Sequence, residues 1–186
     1  MKKSHILSFI FLCGFGFTQS VIAQKFWQTG TGTIDFFSKT PVEDIEAHSK
    51  VGGAIINTET GQLAFKVPIK SFRFPNNLME EHFNENYMES EKYPEATFSG
   101  KMEPLIDFSK PGTYPVKAKG KFKVHGVEVE REFAGTITVN ADKSAELKCD
   151  FDVPLEAHKI ERPQLVLVKI ADKIAVKTVF LLKPKE

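Results

Sequence analysis

Between Pro115 and Gly135 the side chains alternate in character with a period of two. Val116, Ala118, Gly120, Phe122 and Val124 fall between Lys117, Lys119, Lys121, Lys123 and His125. Beyond Gly126, Val127 and Val129 fall between Glu128, Glu130 and Glu132. Period two is the repeat of a β-strand, whose successive side chains leave on opposite faces. One apolar or small face and one charged face mark antiparallel strands set between an interior and water. Glycine supplies the positive φ of a tight turn, so His125-Gly126 is expected to be a two-residue hairpin loop.

That loop fixes a register. Val124 should face Val127, Lys123 Glu128, Phe122 Val129, Lys121 Glu130, and Lys119 Glu132. The three Lys–Glu pairs add a few tenths of a kcal/mol each at most. They matter more for register, because a slip of one residue would bury lysines. Arg131 breaks the pattern. It falls on the phase of the valines, opposite Gly120. Arginine cannot shed its proton, and a lone buried cation costs several kcal/mol. Three outcomes stay open: a bulge that turns it to water, an internal carboxylate partner, or the anionic head of a ligand.

Other segments read as strands: 31–39, 45–56 with a bulge or bend at Gly52-Gly53, 62–74, 95–102, 145–156 and 173–183. Polar turns are expected at 57–61 and 140–144. Residues 76–92 differ. Asn76 or Asn77 can cap a helix, Glu80 and Glu81 suit its first turn, and Met79, Phe83 and Tyr87 form a stripe spaced by four. Asn84 and Asn86 weaken it, so two short pieces are expected, ending at Tyr93-Pro94. About nine strands with one helical insertion argue for an all-β antiparallel barrel or sandwich.

The chain has 186 residues and nearly balanced charge, which suits one domain at 24–186. Residues 1–23 read as a signal peptide: two lysines, an apolar stretch from Ile6 to Phe17, and Ala23 before the expected cleavage point. Its loss leaves 23 basic against 24 acidic residues, which argues against nucleic acid as a partner. The apolar run is too short to span a bilayer. Cys149 is then the only cysteine, on an apolar phase, and reads as a buried inert thiol.

No catalytic or metal-binding motif is present. His48, His82, His125 and His158 lack ligand spacing to each other, to Cys149 or to carboxylates, and each reads as a satisfied or exposed histidine. His125, in a turn, is expected to be solvated. No cofactor is expected, and the chain does not read as an enzyme.

The block FPNNLMEEHFNENYMESEKYPEATFSGKM, followed by GKFKVHGVEVE, resembles the YceI-like family of bacterial exported proteins. The resemblance runs from about Thr31 to Leu182, and TGTIDFFSKTPVEDIEAHSKVGG resembles the subgroup with a longer first hairpin. It implies a lipocalin-like antiparallel barrel of about eight strands, in a periplasmic or secreted protein. It also implies a long apolar pocket, which in some members holds a polyisoprenoid or another amphiphile. With one-phase apolar residues, this gives an expected ligand pocket of Phe65, Val67, Ile69, Phe98, Phe122, Val129, Arg131, Phe133 and Phe151, with 76–92 as a lid. The expected partner is a lipid or isoprenoid-like amphiphile. The alternative is a secreted interaction or stress-related module with a filled barrel and no ligand.

Overall fold

The structure is a computed structural model, described here over residues 25–40, 44–161 and 170–185. The signal-peptide reading lies outside the described residues.

The first hairpin is built from two broken strands. β1 (Phe26–Thr29) and β2 (Gly32–Lys39) are two halves of one run, as are β3 (Asp44–Ser49) and β4 (Gly53–Asn57). β1 pairs with β4 and β2 with β3. The break at Gly52 is the bend expected from Gly52-Gly53. A Cβ at Gly52 would meet the tip of the Ile34 side chain, which would have to shift to make room.

The other strands follow in chain order, each pairing with the next: β5 (Gln62–Pro68), β6 (Glu95–Glu103), β7 (Gly112–Val124), β8 (Val127–Val139), β9 (Ala145–Pro154) and β10 (Lys173–Pro184). β10 then pairs along β2 and, at its far end, with β1. With the two broken runs counted once each, this is a closed eight-stranded antiparallel barrel.

The β7–β8 register is the one the alternation dictates, down to Gly120 opposite Arg131. The ion pairs are diagonal instead of directly opposite: Lys121 Nζ lies 2.9 Å from Glu128 and Lys117 Nζ 3.2 Å from Glu132. Strand twist brings long side chains to the diagonal neighbour as readily as to the facing one. The strand expected over 62–74 stops at Pro68, and a 3₁₀ turn at Ile69–Ser71 leads out of the barrel wall. Proline cannot donate to a ladder, which ends the strand there.

The insertion between β5 and β6 comes in two pieces, as Asn84 and Asn86 suggested. α1 (Asn77–His82) is capped by Asn76, whose side chain accepts from the Leu78 N–H at 2.8 Å. A π-helical turn, Phe83–Tyr87, follows. Phe36, Phe72, Phe74 and Phe83 pack ring against ring beneath it, with centroids 5.1–5.8 Å apart. The insertion therefore roofs one end of the barrel. At the other end Trp27 packs on Phe108 at 4.8 Å, above fully buried Met102, Ile137 and Leu182.

Candidate functional site

Inward positions on successive strands enclose a cavity of about 220 Å³. Seven of the nine expected pocket residues line it: Phe65, Val67, Ile69, Phe98, Phe122, Phe133 and Phe151. Val129 and Arg131 do not. Both stay on the inward phase but sit half-buried beside the cavity, nearer the roofed end. The roof contributes Phe72, Phe83, Tyr87 and Met88. Phe83 and Tyr87 belong to the stripe spaced by four. Phe72 and Met88 were missed, because one follows a strand that ends early and the other lies past the helical spacing.

The walls are almost wholly apolar. Thr178, a rare polar residue among them, spends its hydroxyl on the Cys149 carbonyl at 3.0 Å. The space would take about seven waters at ~30 Å³ each, yet each needs two to four polar partners. Such a cavity suits an apolar occupant.

One seam of the barrel is incomplete. β8 and β9 are joined by a ladder only over Gly135–Val139 and Ala145–Cys149. Towards the roofed end, residues 127–134 and 150–154 run on as strands without pairing to each other. Three side chains bond to backbone carbonyls along this stretch. Cys149 Sγ donates to Ala134 O at 3.3 Å, Arg131 Nη2 to Asp152 O at 2.9 Å, and the His158 Nδ1–H to Val127 O at 3.2 Å.

Of the three outcomes left open for Arg131, the structure bears on the first two and shows neither a bulge nor a carboxylate partner among the described residues. The β7–β8 pairing continues through it without a bulge, and its hydrogen bond goes to a backbone carbonyl. Its guanidinium carbon lies 5.1 Å from the centre of the Phe133 ring, within cation–π range.

A family model for the YceI-like domain matches residues 17–181. The chain belongs to the YceI-like family. No curated protein matches its sequence. Among solved structures, a polyisoprenoid-binding domain from Saccharophagus degradans superposes with a TM-score of 0.74 at 13% identity, covering 88% of this chain and all of that one. Burkholderia cenocepacia BcnA gives 0.67 at 16% identity, covering 81% and 95%. The Campylobacter jejuni YceI protein gives 0.62 at 16% identity, covering 80% and 90%. At these identities the likeness speaks to the fold, and the shared fold is the lipocalin-like barrel.

Several polar groups of this YceI-like barrel tie its elements together. His125 is not solvated: its side chain is only 11% exposed. Nε2 lies 2.9 Å from Glu89 and Nδ1 3.2 Å from the His158 carbonyl, tying the β7–β8 turn to the roof and to the segment after β9. His48 pairs with Asp35 across β2–β3 at 2.8 Å. Both carboxylate partners are far away in sequence, so spacing could not reveal them. His158 is fully buried, and burial pushes its pKa down. Cys149, half-buried in the wall, has its thiol pushed up to about 11, first by burial and then by Asp150. Among the described residues no group of three His, Cys, Asp or Glu is placed to hold a metal, and no helix is long and apolar enough to cross a membrane.

Proposed function

We propose that this protein is a non-catalytic binder of a lipid or isoprenoid-like amphiphile, working in the cell envelope after export. The observation that carries the reading is the apolar cavity. At about 24 cal/mol per Å³, 220 Å³ of empty space costs the barrel roughly 5 kcal/mol. A hydrocarbon chain would recover much of that while shedding water from its own surface, about 0.8 kcal/mol per methylene. Phe65, Val67, Ile69, Phe98, Phe122, Phe133 and Phe151 are its walls in this reading. The insertion is the roof over the far end of the chain.

Family membership and the likeness to a polyisoprenoid-binding domain support the same chemistry. A filled barrel acting as an interaction module would have no use for this cavity. The exposed large apolar residues of the described chain are also scattered: Phe26 on β1, Val51 in the bend between β3 and β4, Leu78 on α1, Leu105 in the loop after β6 and Leu181 on β10. Native mass spectrometry of the purified protein tests the reading. A bound amphiphile is expected to leave only on unfolding, and Phe122→Glu should abolish its retention in a folded variant. Amphiphile content unchanged by a folded Phe122→Glu variant would refute the pocket.

A further inference from the structure

The incomplete seam and the cation beside it belong together. On β7, the inward residues Phe122 and Val124 are buried at 8% and 6% exposure. On β8, Val127 and Val129, directly across from Val124 and Phe122, are only partly buried, as are Arg131 and Phe133 and the residues that face them, Gly120 and Ala118. The difference is on the β9 side, where β8 has no ladder partner from residue 127 to 134. Along this stretch the seam is held by side chains in place of a backbone ladder. Phe133 and Phe151, which line the cavity, meet across the unpaired seam with centroids 4.6 Å apart.

Arg131 stands at this unpaired seam. One of its five N–H donors is held by Asp152 O, and Phe133 lies against the guanidinium. Among the described residues it makes no ion pair with a carboxylate. Its charge is felt nearby, where it opposes protonation of His158. The outer rim does not cancel it. Glu128, Glu130 and Glu132 face Lys123, Lys121 and Lys119 in register, and Asp150 faces Lys177. Asp152 is the rim carboxylate with no lysine opposite, since it faces Ala175.

We infer that the unpaired part of the β8–β9 seam is a side portal for a single-chain amphiphile with an anionic head, whose chain passes Phe133 and Phe151 into the cavity while the head stays on Arg131. This rests on the binding reading above and names the ligand class. A head held deep along the barrel axis would be shut in, but at the seam Arg131 lies next to solvent. Guanidinium suits carboxylate and phosphate through its paired donors. Two sources share that chemistry, a fatty acid and a prenyl phosphate.

The test compares four probes on the full-length protein stripped of lipid: palmitate, hexadecanol, geranylgeranyl phosphate and geranylgeraniol. At least one anionic probe is expected to bind tenfold or more tighter than its alcohol, and which one does so separates the two sources. Arg131→Gln keeps a donor for Asp152 O and removes the charge. It should weaken the anionic probe about tenfold and change the alcohol less than twofold, while Arg131→Lys restores most of the difference. Asp152→Lys at the seam should tighten the anionic probe severalfold, and Lys92→Glu on the roof should leave it unchanged. If acids and alcohols bind alike and Arg131→Gln changes neither, the portal assignment falls and the cavity stands. If Lys92→Glu weakens the anion and Asp152→Lys does nothing, the head lies at the roof and the side portal is wrong. If none of the four binds, the cavity reading itself fails.

Discussion

Filling the cavity from within should stabilise the lipid-free protein, which is the opposite of what overpacking does to a solid core. Ala118 on β7 is suited to the experiment. It lines the cavity and lies in register between Met102 on β6 and Phe133 on β8. Ala118→Leu adds three carbons to a space of about 220 Å³. At about 0.8 kcal/mol per buried carbon the gross gain is roughly 2.4 kcal/mol. Ordering the leucine rotamers returns about 0.5–1 kcal/mol, leaving roughly 1.5–2 kcal/mol net. For a domain of this size that is a rise of about 3–8 °C in Tm. Differential scanning calorimetry of lipid-free wild type and variant reads it directly, and the variant should also retain less amphiphile. In a filled interior the same carbons would cost about 1–3 kcal/mol. A fall in Tm for lipid-free Ala118→Leu, with amphiphile retention unaltered, would refute the cavity argument.

Three further outcomes follow from particular contacts. Gly120→Ala should destabilise the barrel by at least about 2 kcal/mol in urea melts, because the new Cβ would strike Ser99 O and the Gly100 Cα, backbone atoms that cannot step aside; Gly53→Ala, where the nearest atom is 3.6 Å away, is the near-neutral control, and equal effects would count against the tight β6–β7 approach. His158 is held neutral by burial, so below about pH 6.5 the unfolded chain binds a proton that the folded one refuses; its contribution to stability is full above that pH and is lost as pH falls. The urea midpoint should therefore drop between pH 7.5 and 5.5 by less in His158→Leu than in wild type, and equal drops would exclude His158 as a source. Cys149, with its thiol at about 11, should react with a thiol reagent at pH 8 about a hundredfold more slowly than a free cysteine, and labelling at the free-thiol rate in the native protein would contradict its burial.

What the sequence revealed depended on whether the signal was local. The β7–β8 hairpin could be read to the residue because both arms alternate and the turn between them is two residues long. The cap at Asn76 was legible for the same reason. The unpaired seam was not. Alternation continues through 127–134 and through 150–154, and an unpaired strand alternates just as a paired one does. Arg131 was conspicuous as a misplaced charge, but its partner is a backbone carbonyl, which no side-chain pattern can announce. The seven cavity-lining residues named from the sequence were legible because they share the inward phase. Val129 and Arg131 share that phase without lining the cavity, since phase gives the face of the sheet and not the height at which the cavity begins.

Almost every strand pairing in this barrel joins neighbours along the chain. The exception is β10, which must find β1 and β2 at the other end of the sequence. Local hairpins form early and cheaply, whereas a pairing across so many residues must first overcome the entropy of closing the loop. The ring is therefore expected to shut last, in a step that needs the final strand in hand. Until residues 173–184 have been made and delivered, the chain is an open, edge-bearing sheet with no interior. A barrel assembled this way acquires its hollow only when its last strand arrives.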